Sequence, residues 1–299
     1  FLFLSPEKLQ SPFIQDKIKQ LNVSLIAIDE AHCISEWGHD FRPSYLKLDI
    51  LKGLTNNAPC IALTATATSQ VLDDIKNKLN LSSPKVFKKS YFRNNLVFRV
   101  IKTDNIYNRL ISIIKKISGS IIVYAGSRRE TKEVARLLQQ NNINSCYYHG
   151  GLSMDEKQKS YNTWMNNTSK VMVATNAFGM GIDKSDVRAV IHINTPNSIE
   201  NFIQESGRAG RDGKTSYSIV LSSDYNVENS RKTLKNSIPS IAFLKQIYSN
   251  LNQNYQIAIG ELLEDEFDFI LPEFCNVYKT KEILKLCFLS REIFDTKKI

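Results

Sequence analysis

Asp29 and Glu30 close the apolar run Leu25-Ile26-Ala27-Ile28, and Ala31 and His32 follow them. In nucleotide hydrolases an acid at the end of a hydrophobic strand holds Mg2+, usually through water, and the next acid polarises the attacking water. Asp29 suits the first role and Glu30 the second. Far along the chain, Arg208 and Arg211 stand three residues apart among the glycines of QESGRAGRDG, residues 204–213. Guanidinium groups so placed can reach a transferring γ-phosphate from a second lobe and neutralise the charge that develops there. A DEAH string also arises as a solvated helix start, and an arginine pair as a solvated helix end. The apolar strand before the first and the glycines around the second favour the nucleotide reading.

Two further stretches flank these groups. ALTATAT, residues 62–68, ends a second apolar run in hydroxyls that can bond the acidic pair, with Thr68 or Ser69 also suited to cap a helix. Directly after the acids comes a loop, Glu36 to Arg42, that carries Trp37, His39, Phe41 and Arg42. Such aromatics either stack on the bases of a single strand or anchor the loop in the core.

These groups need elements to hold them. The runs FLFLS, LIAIDE, CIALTAT, SIIVYAG, SCYYHG, VMVAT, AVIHIN and SYSIVL alternate with helical patterns over the first 220 residues or so. Strands this apolar, separated by helices, read as parallel βαβ units buried on both faces. Ser127 with Glu130, and Ser153 with Glu156, have capping-box spacing; Asn197 and Glu200 start another helix. Val71, Ile75 and Leu79 share one helix face. Helix breakers at Ser82, Ser83 and Pro84, then a basic stretch, mark a boundary, and after about residue 224 the strand rhythm gives way to helical pattern. The expected division is a first lobe at 1–85, a second at 86–223 and a helical tail at 224–299.

The chain has 299 residues, 42% of them hydrophobic, enough for two ordinary cores and a tail. A net charge of +9 favours a polyanionic partner without singling one out. The cysteines, at 33, 60, 146, 275 and 287, form no CxxC or CxH pair, so neither a disulfide framework nor a zinc site is expected. No apolar run reaches the roughly 18 to 20 residues of a membrane span, and a soluble cytoplasmic protein is the expectation.

In order, DEAHCISEWGHDFRPSYLKL, ALTATAT, SYFRNNL, YHGGLS, ATNAFGMGIDK and QESGRAGRDG resemble the helicase motifs of the RecQ family of superfamily two DNA helicases. The resemblance covers residues 1 to about 225, and the aromatic loop separates it from general DEAD or DEAH proteins. It implies two RecA-like parallel-sheet lobes, the first incomplete here, with ATP and Mg2+ as cofactors and single-stranded or forked DNA as partner. It implies that Trp37, His39, Phe41 and Arg42 sense DNA, that Arg211 is an arginine finger, and that Arg208 is a second phosphate or coupling contact. Asp29, Glu30, His32, Gly181, Asp183 and Gln204 would serve the nucleotide. Thr64, Thr66, Ser127, Arg128, Thr175 and Ser198 are candidates for DNA-backbone contact or coupling. His149 matches a motif of the family, but for it and His192 a hydrogen-bonded structural role stands equally open.

Two departures temper the resemblance. RecQ enzymes carry a P-loop upstream of the acids, and nothing in residues 1–299 matches GxxxxGK[ST]. The chain by itself is therefore expected not to hydrolyse ATP. Only Cys275 and Cys287 lie beyond residue 214, too few for the four-cysteine zinc module of many RecQ proteins. The tail instead resembles zinc-free branches leading to a winged helix, which FDFILPEFCNVYKTKEILKL would begin. A fragment lacking parts at both ends is expected. A non-catalytic DNA-binding remnant and an RNA helicase of the DEAD/DEAH type are the alternatives.

Overall fold

A computed structural model describes residues 1–37, 41–179, 182–237, 239–257 and 270–278. Two short helices open the chain, α1 (Pro6–Leu9) and α2 (Pro12–Lys19). Strand β1 (Ile26–Ile28) leads into a 3-10 turn at Ala31–Ile34, and a second 3-10 turn at Pro43–Lys47 precedes α3 (Ile50–Leu54). Then come β2 (Cys60–Ala62) and α4 (Ser69–Lys78). β1 and β2 pair in parallel, Ile26 opposite Cys60 and Ile28 opposite Ala62.

The remaining strands are β3 (Leu96–Lys102), β4 (Ser120–Tyr124), β5 (Ser145–Tyr148), β6 (Val171–Ala174), β7 (Val187–His192) and β8 (Ser216–Ser222). They form one parallel sheet in the order β3-β8-β7-β4-β6-β5. Between them run α5 (Ile106–Lys116), α6 (Arg128–Gln140), α7 (Met154–Met165) and α8 (Ile199–Ser206). The central strands β4 and β6 are buried at every residue, as the unbroken apolar runs require of strands covered on both faces. One face packs Leu110, Ile114, Val134 and Leu138 of α5 and α6. The other packs Trp164 of α7 with Phe178, Ile182 and Ala209. The two-stranded sheet has its own core, in which Val71, Ile75 and Leu79 meet Ile26, Ile28 and Ile34.

Phe1–Ser223 make one compact unit and a second begins at Asp224. The second contains α9 (Asp224–Ser237), α10 (Ile241–Tyr255) and α11 (Leu271–Val277). Ile247 and Leu251 of α10 pack with Phe274 and Cys275 of α11. The acidic run at 260–269 and most of the expected winged helix lie outside the described residues.

Local expectations are corrected in four places. FLFLS is not a strand: no chain pairs with it, Phe1 and Phe3 are exposed, and Ser5 instead accepts from the Lys8 amide as the cap of α1, with Pro6 in its first turn. NLVFRV, read as part of a boundary, forms β3, because β8 offers it a seven-residue register from Leu96–Ser216 to Lys102–Ser222. Helix α8 is capped by Ser198 rather than Asn197, through the Asn201 amide. The capping box is reciprocal only at Ser153 and Glu156. At α6, Ser127 accepts from the Glu130 amide at 3.1 Å, but the Glu130 carboxylate takes the Gly126 amide at 2.9 Å.

Candidate nucleotide and nucleic-acid site

Parallel pairing of β1 with β2 delivers the acids and the hydroxyls to the same end of the small sheet. The ladder continues past both strands, with Leu63 N–H donating to Ile28 at 2.8 Å and Ala31 N–H to Leu63 at 2.9 Å. The chain turns at Glu30, whose φ of 50° lies in the left-handed region that branched and bulky residues avoid. Asp29 is exposed, and its Oδ1 accepts the Glu30 amide at 2.9 Å.

Behind Glu30 sits a hydrogen-bond chain. His32 is 2% exposed; its Nδ1 lies 3.0 Å from Thr64 Oγ1 and 3.3 Å from Glu30 Oε2. The Thr64 hydroxyl donates to the Thr66 carbonyl at 3.0 Å and accepts the Thr66 amide at 3.2 Å. With its single proton spent there, Thr64 can only accept from His32, so Nδ1 carries the ring proton. Nε2 then faces the Cys33 thiol at 3.8 Å as acceptor. Thr64 and Thr66 thus couple the second strand to the acid pair, and His32 is the connector.

The aromatic loop returns to the same place. Arg42 N–H donates to Cys33 at 2.9 Å, closing a loop whose near side is held by Ser35, which donates to Asp74 at 2.5 Å and accepts the Trp37 amide at 3.2 Å. Trp37 is 70% exposed, whereas Phe41 and Arg42 are half-buried. His39 lies outside the described residues. Tyr45, which sequence reasoning passed over, donates from the far side of the loop to the Asp29 carbonyl at 3.2 Å. Burial, ahead of neighbouring negative groups, pushes its phenol up to about 12, so it remains a donor. No local signal distinguishes it from any other core tyrosine.

The second sheet supplies the opposing groups. Gln204 of α8 donates to Glu30 Oε1 at 3.3 Å, joining the two sheets at the acid itself. Arg211 pairs with Asp183 at 2.8 Å; Asp183 is largely exposed. Arg208 is 7% exposed and donates to the Gly179 carbonyl, with Tyr124 alongside. A Cβ on Gly179 would lie 2.6 Å from its guanidinium, which would have to shift to admit one. In this arrangement Arg208 braces the 175–183 loop from inside, and Arg211 is the arginine that faces outward. Gly181 lies outside the described residues.

Ser127 and Arg128 follow β4, Thr175 follows β6 and Ser198 follows β7, three adjacent strands, so all four share the carboxyl rim where open α/β sheets bind ligands. A cleft lined by Gly126, Thr175, Asn194, Asn197 and Asn201 opens beside them. His192 lies beneath it, 2.8 Å from Glu205, stacked on Tyr124 and with Phe202 tilted against it. His149 is 4% exposed beside Tyr147; burial, then the charges of Lys132 and Arg128, holds its imidazole below the ordinary histidine range.

An exposed carboxylate at a strand end, with a second acid beside it, fits Mg2+ held through water, which needs few protein ligands. Among the described residues no group of three or more His, Cys, Asp or Glu side chains is placed to hold a metal, and no helix is long and apolar enough to cross a membrane.

Two parallel sheets, one ending in a buttressed acid pair and the other presenting an arginine turn, are the parts that two helicase family models match. Residues 1–75 match the family described as DEAD/DEAH box helicase, and residues 105–213 match the helicase conserved C-terminal domain. The chain has relatives among helicases of the RecQ type. Over 225 residues it is 45% identical to the probable ATP-dependent DNA helicase RecS of Bacillus subtilis, covering 74% of this chain and 45% of that protein. It is 40% identical over 238 residues to the ATP-dependent DNA helicase RecQ of the same organism, covering 79% and 40%. A putative ATP-dependent RNA helicase of Acanthamoeba polyphaga mimivirus is 40% identical over 285 residues, covering 92% and 49%. The chain therefore spans about half the length of these relatives or less. Among solved structures, S. cerevisiae Dbp5 bound to RNA and ADP BeF3 has a TM-score of 0.59 at 16% identity, covering 75% of this chain and 60% of that one. Mycobacterium smegmatis helicase Lhr bound to ssDNA and AMP-PNP has 0.58 at 22%, covering 72% and 31%. At such identities these two establish the shared fold alone.

Proposed function

We propose that this chain forms the motor core of a RecQ-type, ATP-dependent 3′–5′ DNA helicase acting on single-stranded and forked DNA in recombination and repair. The observation that carries this reading is the contact between Gln204 and Glu30, which brings the arginine-bearing segment of one sheet to the acid pair of the other. The Mg2+ bound with ATP would neutralise phosphate charge. Asp29 would hold it, and Glu30 would orient the attacking water while Gln204 restrains its carboxylate. Arg211 exchanges Asp183 for the γ-phosphate. Trp37, with Phe41, His39 and Arg42, reports DNA to the acids through the 3-10 turn and Tyr45. Thr175, Ser127, Arg128 and Ser198 contact the DNA backbone along the sheet rim, and Gly181 completes the nucleotide-reading loop. The described cysteines are free thiols, which suits the cytoplasm.

Residues 1–299 contain no GxxxxGK[ST], so the amides and lysine that cradle the β- and γ-phosphates must come from outside them. That fact favours one second reading, a DNA-binding remnant without turnover. Positioning supplies about 7 to 11 kcal/mol of a barrier, so residues 1–299 alone are expected to hydrolyse ATP only at background. DNA-stimulated hydrolysis is expected once a RecQ-type segment with a P-loop is fused ahead of Phe1. Failure of the fusion to turn over ATP favours the remnant. Turnover by residues 1–299 that disappears in Glu30→Gln would reveal a phosphate site elsewhere in the chain.

A further inference from the structure

Residues 91–95, Tyr-Phe-Arg-Asn-Asn, connect the two sheets, and three of their side chains are committed at opposite ends. Tyr91 accepts the amide of Ala67, within the hydroxyl-rich stretch after β2, at 3.3 Å. Arg93 reaches the turn after α8: Nη1 donates to the Gly207 carbonyl at 3.0 Å and Nη2 donates to the Gly210 carbonyl. Asn95 Nδ2 donates to the same Gly210 carbonyl at 2.7 Å and to Lys214 at 3.0 Å, while the Asn95 carbonyl accepts the Ser216 amide at 2.8 Å.

The Gly210 carbonyl and the Arg211 amide belong to one planar peptide unit. Clamping that oxygen from two donors fixes the direction in which the Arg211 side chain leaves the turn. Gly210 itself has φ +63°, and a Cβ there would stand 2.6 Å from Asn95 Nδ2, so the close approach needs glycine. The planar guanidinium spans two carbonyls at once, which an ammonium cannot do in fixed geometry. Besides this clamp, the turn is tied to the sheet by the Gly210 amide, which donates to Val187 at 2.9 Å, and by Asp212, which accepts from Arg188 at 2.6 Å.

We propose that Arg93 and Asn95 are positioning residues for Arg211, acting through the Gly207 and Gly210 carbonyls, and that Tyr91 ties the same segment to the acid-bearing sheet. The inference rests on the reading of Arg211 as the phosphate-facing arginine. In the P-loop fusion, Arg93→Ala is expected to lower kcat about 100-fold with KM for ATP within a few fold, and Arg93→Lys to recover only part of it. The decisive measurement is the double variant. Arg93→Ala combined with Arg211→Ala should be no slower than Arg211→Ala alone, because a residue that acts through Arg211 has nothing left to position. Hydrogen exchange on residues 1–299 should show faster exchange of the amides at 207–213 in Arg93→Ala, with β4 and β7 as protected as before. Multiplying losses in the double variant, or exchange that quickens throughout the sheet, would make Arg93 merely structural and overturn the proposal. If Arg211→Ala alone leaves kcat unchanged, the reading of Arg211 fails first, and this inference falls with it.

Discussion

In the proposed mechanism, turnover and its control depend most directly on Arg211 and Trp37. Arg211 is outward-facing and paired only with an exposed carboxylate, so it can leave Asp183 for a phosphate without opening the core. Arg211→Ala in the P-loop fusion is therefore expected to reduce kcat by roughly 10³ or more with nucleotide affinity little changed, because a finger acts on the transition state. Loss of affinity with normal turnover would reassign it to ground-state binding. Trp37 is exposed, and its neighbours on the loop connect to Asp29 and Cys33. Stacking is worth only about 1 to 3 kcal/mol per base. Trp37→Ala should thus leave DNA binding within a few fold while strongly reducing DNA-stimulated hydrolysis; hydrolysis that stays fully DNA-dependent makes the loop structural. A residue-scale test of stability falls on His149. Its imidazole is held below the ordinary value of about 6.5, so the unfolded chain binds that proton more readily than the folded one. This contribution to stability is fully present above about pH 6.5 and is lost as pH falls below it. His149→Gln is expected to flatten the decline of the melting temperature between about pH 7 and 5, measured by scanning fluorimetry beside the unaltered chain; parallel profiles would refute the assignment.

Helix α7 illustrates how an element is held at its ends. Its apolar moment is modest, and the Ser153 hydroxyl and Glu156 carboxylate exchange hydrogen bonds with each other's amides at 3.2 and 2.8 Å. Replacing such a cap costs about 1 kcal/mol, so Ser153→Ala should lower the urea midpoint with the slope unchanged. No change in midpoint would mean that burial of Trp164 alone holds the helix start. At α6 the same residue types bond differently, because Asn194 also accepts the Gly126 amide, at 2.8 Å, and Glu130 joins it there instead of turning back to Ser127. Spacing announces a cap, but the neighbouring strand decides which amide the glutamate takes.

For the whole molecule, the charge of +9 becomes specific only through where the fold places it. The connector carries Lys85, Lys88 and Lys89 among exposed Phe87 and Phe92, and Arg128 stands on the rim of the large sheet. Binding of residues 1–299 to single-stranded DNA is expected to weaken steeply between about 50 and 200 mM salt, with a slope near 0.7 per neutralised phosphate on logarithmic axes. Fluorescence anisotropy with labelled oligonucleotides measures it. A salt-independent affinity, or a strong preference for RNA of equal length, would count against DNA as the substrate.

Sequence alone determined the α/β class, the acid pair, the arginine turn and most strands, because apolar runs bounded by glycine and hydroxyl residues are local signals. It also carried the family, through six short motifs in order. It did not determine the fate of FLFLS and NLVFRV, since an extended segment becomes a strand only where another chain edge accepts its hydrogen bonds; β8 offers one to the second and nothing offers one to the first. The resemblance gave Arg208 and Arg211 different roles, but not their different surroundings. Three residues apart and identical in kind, they differ because the turn at Gly207 buries one against Gly179 and leaves the other facing Asp183. Tyr45, Arg93 and Asn95 fall within the quoted motifs, but their contacts were not legible for the same reason. Their partners are backbone carbonyls from 16 to 119 residues away, and a carbonyl carries no mark in the sequence of which side chain will find it.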